Sequence, residues 1–237
     1  MQLFTYAERP DLSNRLDEVE DTLKPFLGHG NIALEHWHKL RPEHPDLQLV
    51  LYDDENDRVV GHARTLPTRE ADGLPGGIDG VLDMWFGGNR PKPDVLSAMI
   101  AVVDPSRGRQ GLSQLLIKGM RDLARREGYS SLIAPVRPTW KERYPLIPME
   151  RYAHWTRADG LPFDPWLRAH VRLGAELLEV CPTSYTVDQP REGWEEWTGM
   201  RFPDDGEYIV PGALNPVRIS GGRGIYVEPN VWMRHPA

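Results

Sequence analysis

Val103-Asp104-Pro105-Ser106-Arg107-Gly108-Arg109-Gln110-Gly111-Leu112-Ser113-Gln114-Leu115-Leu116 (VDPSRGRQGLSQLL) decides how this chain is read. The run that leads into it, Val95–Val103 (VLSAMIAVV), is apolar almost throughout, as a buried central strand requires. Beyond it, Leu112, Leu115, Leu116, Met120, Leu123 and Ala124 recur at helical spacing. Arg121, Asp122, Arg125, Arg126 and Glu127 fall on the polar side, and Gly128 is the expected stop. A strand, a tight turn and a helix in that order gather free N–H groups at the helix start, where the helix dipole adds positive partial charge. Gly108 and Gly111 let backbone approach a pyrophosphate without interference from a Cβ, and Arg107 and Arg109 supply charge. An ordinary strand-to-helix joint with solvated arginines explains the same letters, and turn chemistry alone leaves both readings open.

Working outward, the pattern is that of an α/β protein. Residues 10–28 read as a helix with Leu16, Val19, Leu23 and Phe26 on one face and Gly28 near its end. Leu47–Tyr52 and Arg58–Leu66 are two strands of a hairpin, joined by the polar turn Asp53–Asp57. Gly73–Gly80 is expected as a loop, Val81–Phe86 as a strand and Gly87–Pro93 as a second loop. After the central helix come a strand at Ser130–Val136, a mixed aromatic segment at 139–160, and a helix at Pro165–Leu173 stopped by Gly174. A strand at Ala175–Val187 follows. Residues 188–237, rich in Pro and Gly, are expected as short strands and loops. No linker stands out. The chain therefore divides into a main domain over 1–187, with an N-terminal helical segment, and a C-terminal extension over 188–237 packed on the same domain.

Composition narrows the function. A chain of 237 residues has ample length for a core. Its formal net charge of -7 does not suggest the basic face of a nucleic-acid binder. The single cysteine, Cys181, excludes an internal disulfide and fits a reducing compartment. Residues 1–30 lack the apolar core of a signal peptide, and no apolar run approaches the roughly 20 residues of a membrane span. A cytoplasmic protein that engages neither membrane nor nucleic acid is the expectation.

Three anion-binding patterns can be set against the central stretch. A Walker A string is absent, and Gly108-x-x-Gly111 follows several strands and does not match a dinucleotide fingerprint. The stretch resembles the V-x-P-x-x-[QR]-x-x-G-x-[GA]-x-x-L-L segment of the GNAT superfamily of acyl-CoA-dependent N-acyltransferases. Pro105, Gly111, Leu115 and Leu116 stand in place, and Ser113 takes the small-residue position. Gly108 stands where the family has Gln or Arg, and Arg107 or Arg109 would have to substitute for it. Arg172-Leu173-Gly174-Ala175-Glu176 resembles the family's late K-L-G-F-E segment, and the order of elements agrees over roughly 45–187. The resemblance implies a GNAT-like fold, a central mixed sheet flanked by helices, with acetyl-CoA as co-substrate and no metal. It implies direct attack of a small-molecule primary amine on the thioester. Dimers are common in the family, so a homodimer is the expected assembly.

What the resemblance implies for the site can be placed residue by residue. Arg107, Gly108, Arg109, Gln110, Gly111, Leu112, Ser113 and Gln114 form the pyrophosphate cradle, with backbone N–H groups of 109–114 as donors. Ala101, Val102 and Val103 offer main chain to the pantetheine arm, as a strand accepts an added strand. The family often has Tyr four residues before the late Gly, to protonate the leaving thiolate; here that residue is His170, with Tyr152 and His154 as competitors. Asp83, on the strand expected at 81–86, is the nearest carboxylate for the base. A rival reading is a non-catalytic acyl-CoA-binding module or sensor. Gly108, His170 in place of Tyr, and a central strand with no carboxylate before Asp104 favour it. His36 and His38 make only two of the ligands a metal needs, and Cys181 reads as a buried small hydrophobe. Trp140, Trp155 and Trp166 bracket the segment expected to face substrate, as pocket lining or as core.

Overall fold

A computed structural model describes residues 1–19, 23–88, 90–107 and 110–237. The chain opens with β1 (Gln2–Thr5) and a run of short helical turns that includes α1 (Asn31–His36) and α2 (Leu40–Glu43). The hairpin β2 (Gln48–Asp53) and β3 (Arg58–Thr68) follows, then α3 (Gly77–Phe86), β4 (Val95–Val103), α4 (Leu112–Arg126) and β5 (Ser131–Val136). The second half holds α5 (Met149–Tyr152), α6 (Pro165–Arg172), β6 (Glu176–Pro190), α7 (Arg191–Thr198), β7 (Gly206–Tyr208), β8 (Val217–Ser220) and β9 (Arg223–Pro236). Among the described residues nine strands form one mixed sheet in the order β1-β2-β3-β4-β5-β9-β8-β7, with β6 paired to β9. Only the β4–β5 pairing is parallel.

Side chains alternate across a strand, so neighbours along β4 and β5 serve different layers. Leu96 and Leu132 pack with Leu116, Met120 and Leu123 of α4. Val95, Met99 and Ile133 pack with Val81, Leu82 and Trp85 of α3 and with Trp232 of β9. The sheet is thus covered on both faces, α4 on one and α3 on the other.

Three expected elements differ. Val81–Phe86 is not a strand but the second half of α3. Its inward residues, Ile78, Val81, Leu82 and Trp85, recur at i, i+3, i+4 and i+7, which is a helix period that a window confined to 81–86 cannot reveal. The expected helix at 10–28 is replaced, over its described residues, by 3-10 turns at Leu12–Asn14, Leu16–Glu18 and Pro25–His29. Ser13 Oγ donates to the Pro10 carbonyl in competition with a helix ladder, and Pro25 cannot donate inside a helix. The tail holds more than short strands and loops: α7 has 8 residues, and β9, with 14, lies between β5 and β8 in the sheet.

Candidate active site

The sheet opens at its one parallel joint. β3 follows β4 from Thr68↔Val95 to Gly61↔Val103, nearly the whole strand. β4 and β5 pair only at Leu96↔Leu132 and Ser97↔Ile133. Past Ser97 the strands diverge, so β4 turns an edge of backbone N–H and C=O groups toward a cleft. Ala101, Val102 and Val103 lie on that edge, where the sequence places them. A bulge sharpens the divergence: Arg64 faces Ile100 and Thr65 faces Ala98, which leaves Met99 as the extra residue on β4.

The loop after β4 is braced from inside. Buried Asp104 accepts hydrogen bonds from the N–H and Oγ of Ser106 at 2.9 and 2.6 Å, and Arg58 Nη2 lies 3.1 Å from its other oxygen as an ion pair. The Ser106 hydrogen bonds, with help from Arg58 and Arg107, hold the Asp104 carboxyl below the ordinary range. Arg107 pairs with Asp53 at 3.0 Å, so this cation is anchored to the β2–β3 turn. Gly108 and Arg109, both expected in the cradle, lie outside the described residues. Gly111 has φ +73°, a left-handed conformation that favours glycine, and α4 starts after it with no side-chain cap. Leu115 N–H donates back to Gly111, while the first-turn N–H groups of Leu112, Ser113 and Gln114 find no partner inside the helix. Uncapped donors at the start of a 15-residue helix have the chemistry to receive an anion.

The other expected residues are placed differently. His170 on α6 is buried, and its Nδ1 lies 2.9 Å from Nε2 of His235 on β9. Burial, reinforced by His235, pushes His170 down to about 3; burial and Arg121 push His235 down to about 4. Both rings are neutral at pH 7, and a neutral imidazole is too weak an acid to protonate a thiolate. The general-acid role expected of His170 therefore does not suit this arrangement. Asp83 is exposed on α3, so the strand position that recommended it as base does not exist. Tyr152 is buried and its hydroxyl donates to Asp164, whereas His154 is exposed. Tyr144, Trp155 and Phe163 pack around Tyr152 as a core cluster. Trp166 touches His170 edge-on at 4.7 Å, and it joins the layer under α4 to the layer under α6. Cys181 is buried, as expected. His36 is buried, its Nδ1 3.0 Å from Lys39 Nζ, while His38 is exposed.

No family model matches the chain. An arginine N-acetyltransferase, avaD, of Aspergillus versicolor is 29% identical over 270 aligned residues, spanning 99% of this chain and 93% of that protein. The loading GNATL domain of CurA from Lyngbya majuscula superposes with a TM-score of 0.60 at 16% identity, over 99% of this chain and 96% of that one. The chain has the GNAT fold. The GphF GNAT-like decarboxylase, solved with isobutyryl-CoA, superposes at 0.58 with 17% identity over 100% and 99% of the two chains. Mosquito arylalkylamine N-acetyltransferase like 5b does so at 0.53 with 10% identity over 100% and 99%. The mixed sheet with helices on both faces is the GNAT architecture expected from the central motif.

Two features of this GNAT-like fold were not legible in short sequence patterns. Beyond the end of β5, Arg137 Nε donates to Glu228 of β9 at 2.9 Å, and its Nη2 donates to the Gly212 carbonyl. Tyr226 OH completes the network on Glu228 at 2.8 Å, and fully buried Lys141 donates to the Leu214 and Tyr144 carbonyls. Burial brings Lys141 down to about 8. Residues 137 and 228 meet only through the β5–β9 pairing, so no local spacing announces them. The second feature is half-buried Asp79 on α3, whose Oδ2 accepts the Thr186 N–H of β6 at 2.8 Å. Asp188, two residues on, is held through its N–H by Asn31 Oδ1 at 2.7 Å. Side chains thereby cover part of an edge strand that would otherwise offer a template for pairing.

Burial lifts Asp79 to about 6, against the hydrogen bond from Thr186. The folded state therefore binds this proton more tightly than the unfolded chain. The resulting stabilisation is fully present below about 3.8 and is lost as pH rises through about 6. Asp79→Asn, neutral at every pH, is expected to stabilise the protein by ~1–3 kcal/mol at pH 7.5 and by little at pH 4.5. Urea denaturation at the two pH values checks this; a variant less stable than the parent at pH 7.5 refutes it.

Proposed function

We propose that this chain is an acyl-CoA-dependent N-acetyltransferase that transfers an acetyl group from acetyl-CoA to the amine of a small-molecule acceptor. The observation that carries the reading is the opening between β4 and β5, placed beside an uncapped helix N-terminus. The exposed edge of β4 suits a pantetheine arm, which carries amide donors and acceptors at strand-like spacing. The free N–H groups at the start of α4 suit a pyrophosphate. Arg107, tied to Asp53, contributes by stiffening the loop and placing positive charge beside it. The 29% identical relative, aligned over almost the full chain, is named as an arginine N-acetyltransferase, which supports a small amine as acceptor.

In the proposed reaction the amine lone pair attacks the thioester carbonyl carbon. The new C–N bond forms, the C–S bond breaks, the amine loses a proton and the departing thiolate gains one. Since His170 is held neutral and β4 bears no carboxylate before Asp104, proton movement through water suits the cleft better than a side-chain acid on α6. Titration calorimetry with CoA, followed by thiol release from acetyl-CoA over a panel of amines, tests the reading. Micromolar CoA binding with amine-dependent thiol release is expected. CoA binding without turnover of any amine would favour a binding module, and no CoA binding would remove both.

A further inference from the structure

On the face of the sheet away from α4 lies a half-buried arginine, Arg64, to which no described residue offers a counter-ion. His62 and Arg64 alternate along β3 and point to the same side, facing Val102 and Ile100 across the ladder. Ile100 and Val102 pack with Tyr6 and Val50, whereas Ala101 and Val103 pack toward α4. Arg64 is therefore on the opposite face from the α4 N-terminus and directly beside the Met99 bulge, where the cleft begins. Its guanidinium carbon sits 5.3 Å over the Trp37 ring, and its buried Nε finds no hydrogen-bond partner among the described residues. The neighbouring Tyr6 hydroxyl is also buried, and it is the polar group that interacts with the Arg64 guanidinium. Among the described residues the neighbouring charge is another cation: Arg41 lies 5.6 Å over the Tyr6 ring and donates to the Ser13 carbonyl. Among the described residues no carboxylate faces Arg64, and burial, together with Arg41, draws its guanidinium below the ordinary range.

Arg137 shows what the same fold does with a guanidinium it keeps for structure: Glu228 is placed 2.9 Å from it. A desolvated guanidinium without an anion is costly, and a carboxylate gripped by its planar fork removes that cost. In the proposed reading the cofactor's phosphates lie at the start of α4, which leaves the Arg64 face for the acceptor. We propose that Arg64, with Arg41 and Tyr6 beside it, binds a carboxylate of the acceptor, so that the substrates are amino acids rather than simple amines. This rests on the acetyltransferase reading of the same cleft.

The test uses the full chain with acetyl-CoA and compares amino acids with their decarboxylated amines and carboxamides. The parent is expected to favour the carboxylates in kcat/KM. Arg64→Gln should lose ~100-fold on carboxylates, mostly through KM, and change little on the amines. Arg64→Lys, which keeps the charge but not the fork, should recover part of the loss. CoA affinity and melting temperature of Arg64→Gln should match the parent or, for the latter, exceed it. Equal turnover of acids and decarboxylated amines by the parent overturns the proposal, as does an equal loss on both by Arg64→Gln. If no amine releases thiol, calorimetric binding of amino acids to the CoA complex decides. Binding abolished by Arg64→Gln upholds the carboxylate site while acetyl transfer falls, and no binding to the parent overturns the site.

Discussion

Replacing Asp164 with alanine is expected to lower the unfolding free energy by ~3–5 kcal/mol and the melting temperature by roughly 10 °C. Asp164 is buried, and its two oxygens accept five hydrogen bonds. One oxygen receives the N–H groups of Trp166 and Leu167, which caps α6, and that of Thr139 at 3.3 Å. The other receives Trp140 N–H at 2.8 Å and Tyr152 OH at 2.9 Å. A lost cap alone costs ~0.5–2 kcal/mol, and stranding buried donors adds ~1–3 kcal/mol each, less than additively. Asp164→Asn separates the contributions. Its amide oxygen can still cap α6, while its NH2 would face the Trp140 and Tyr152 donors. Stability should therefore fall in the order parent, Asn, Ala. Urea titration measures the series, and a loss below about 1 kcal/mol for the alanine variant would contradict the hub. The consequence reaches the cleft, because α6 carries Trp166 and His170 against the sheet.

The contrast between α6 and α4 also shows what can be read from a chain without its fold. β4, α4, α6 and the glycine stops were legible because each is written in consecutive letters: an apolar run, a helix period, a Gly with positive φ at 128 and 174. The cleft was legible only by resemblance, since the failure of β4 to pair with β5 beyond Ser97 is a relation between two strands. Asp83 was misplaced because Gly80 and Gly87 frame an apolar hexamer that looks like a strand, while the helix that owns it starts at Gly77. Glu228 and His235 were out of reach because β9 gains its neighbours from residues far apart in the chain. Arg64 did leave a trace, since His62-Ala63-Arg64 alternates inside an apolar strand. On a sheet covered on both faces, such polar alternation has to be answered by a partner or a ligand.

Gly111→Val is expected to weaken CoA binding by at least ~10-fold, about 1.4 kcal/mol, beside a loss of folding stability of up to ~1–3 kcal/mol. Two physical effects act together. At φ +73° and ψ 14° a β-branched residue is strained by ~1–3 kcal/mol, and relief comes by rotating the peptide that leads into α4. That rotation turns the first N–H groups of α4 away from a common point, which is what an anion needs. A Cβ at Gly111 meets no atom of the described residues within 4 Å, so packing against them does not resist the change. The open space on that side is where the proposed pyrophosphate lies, and the valine methyl groups enter it. Gly111→Asn discriminates between the two effects. Asparagine tolerates the left-handed conformation, so it keeps the N–H geometry and tests side-chain bulk alone. Binding should rank Gly above Asn above Val in CoA calorimetry, and melting temperature should fall in the same order, with Asn close to the parent. Unchanged CoA affinity in the valine variant would show that this turn is only a joint between strand and helix.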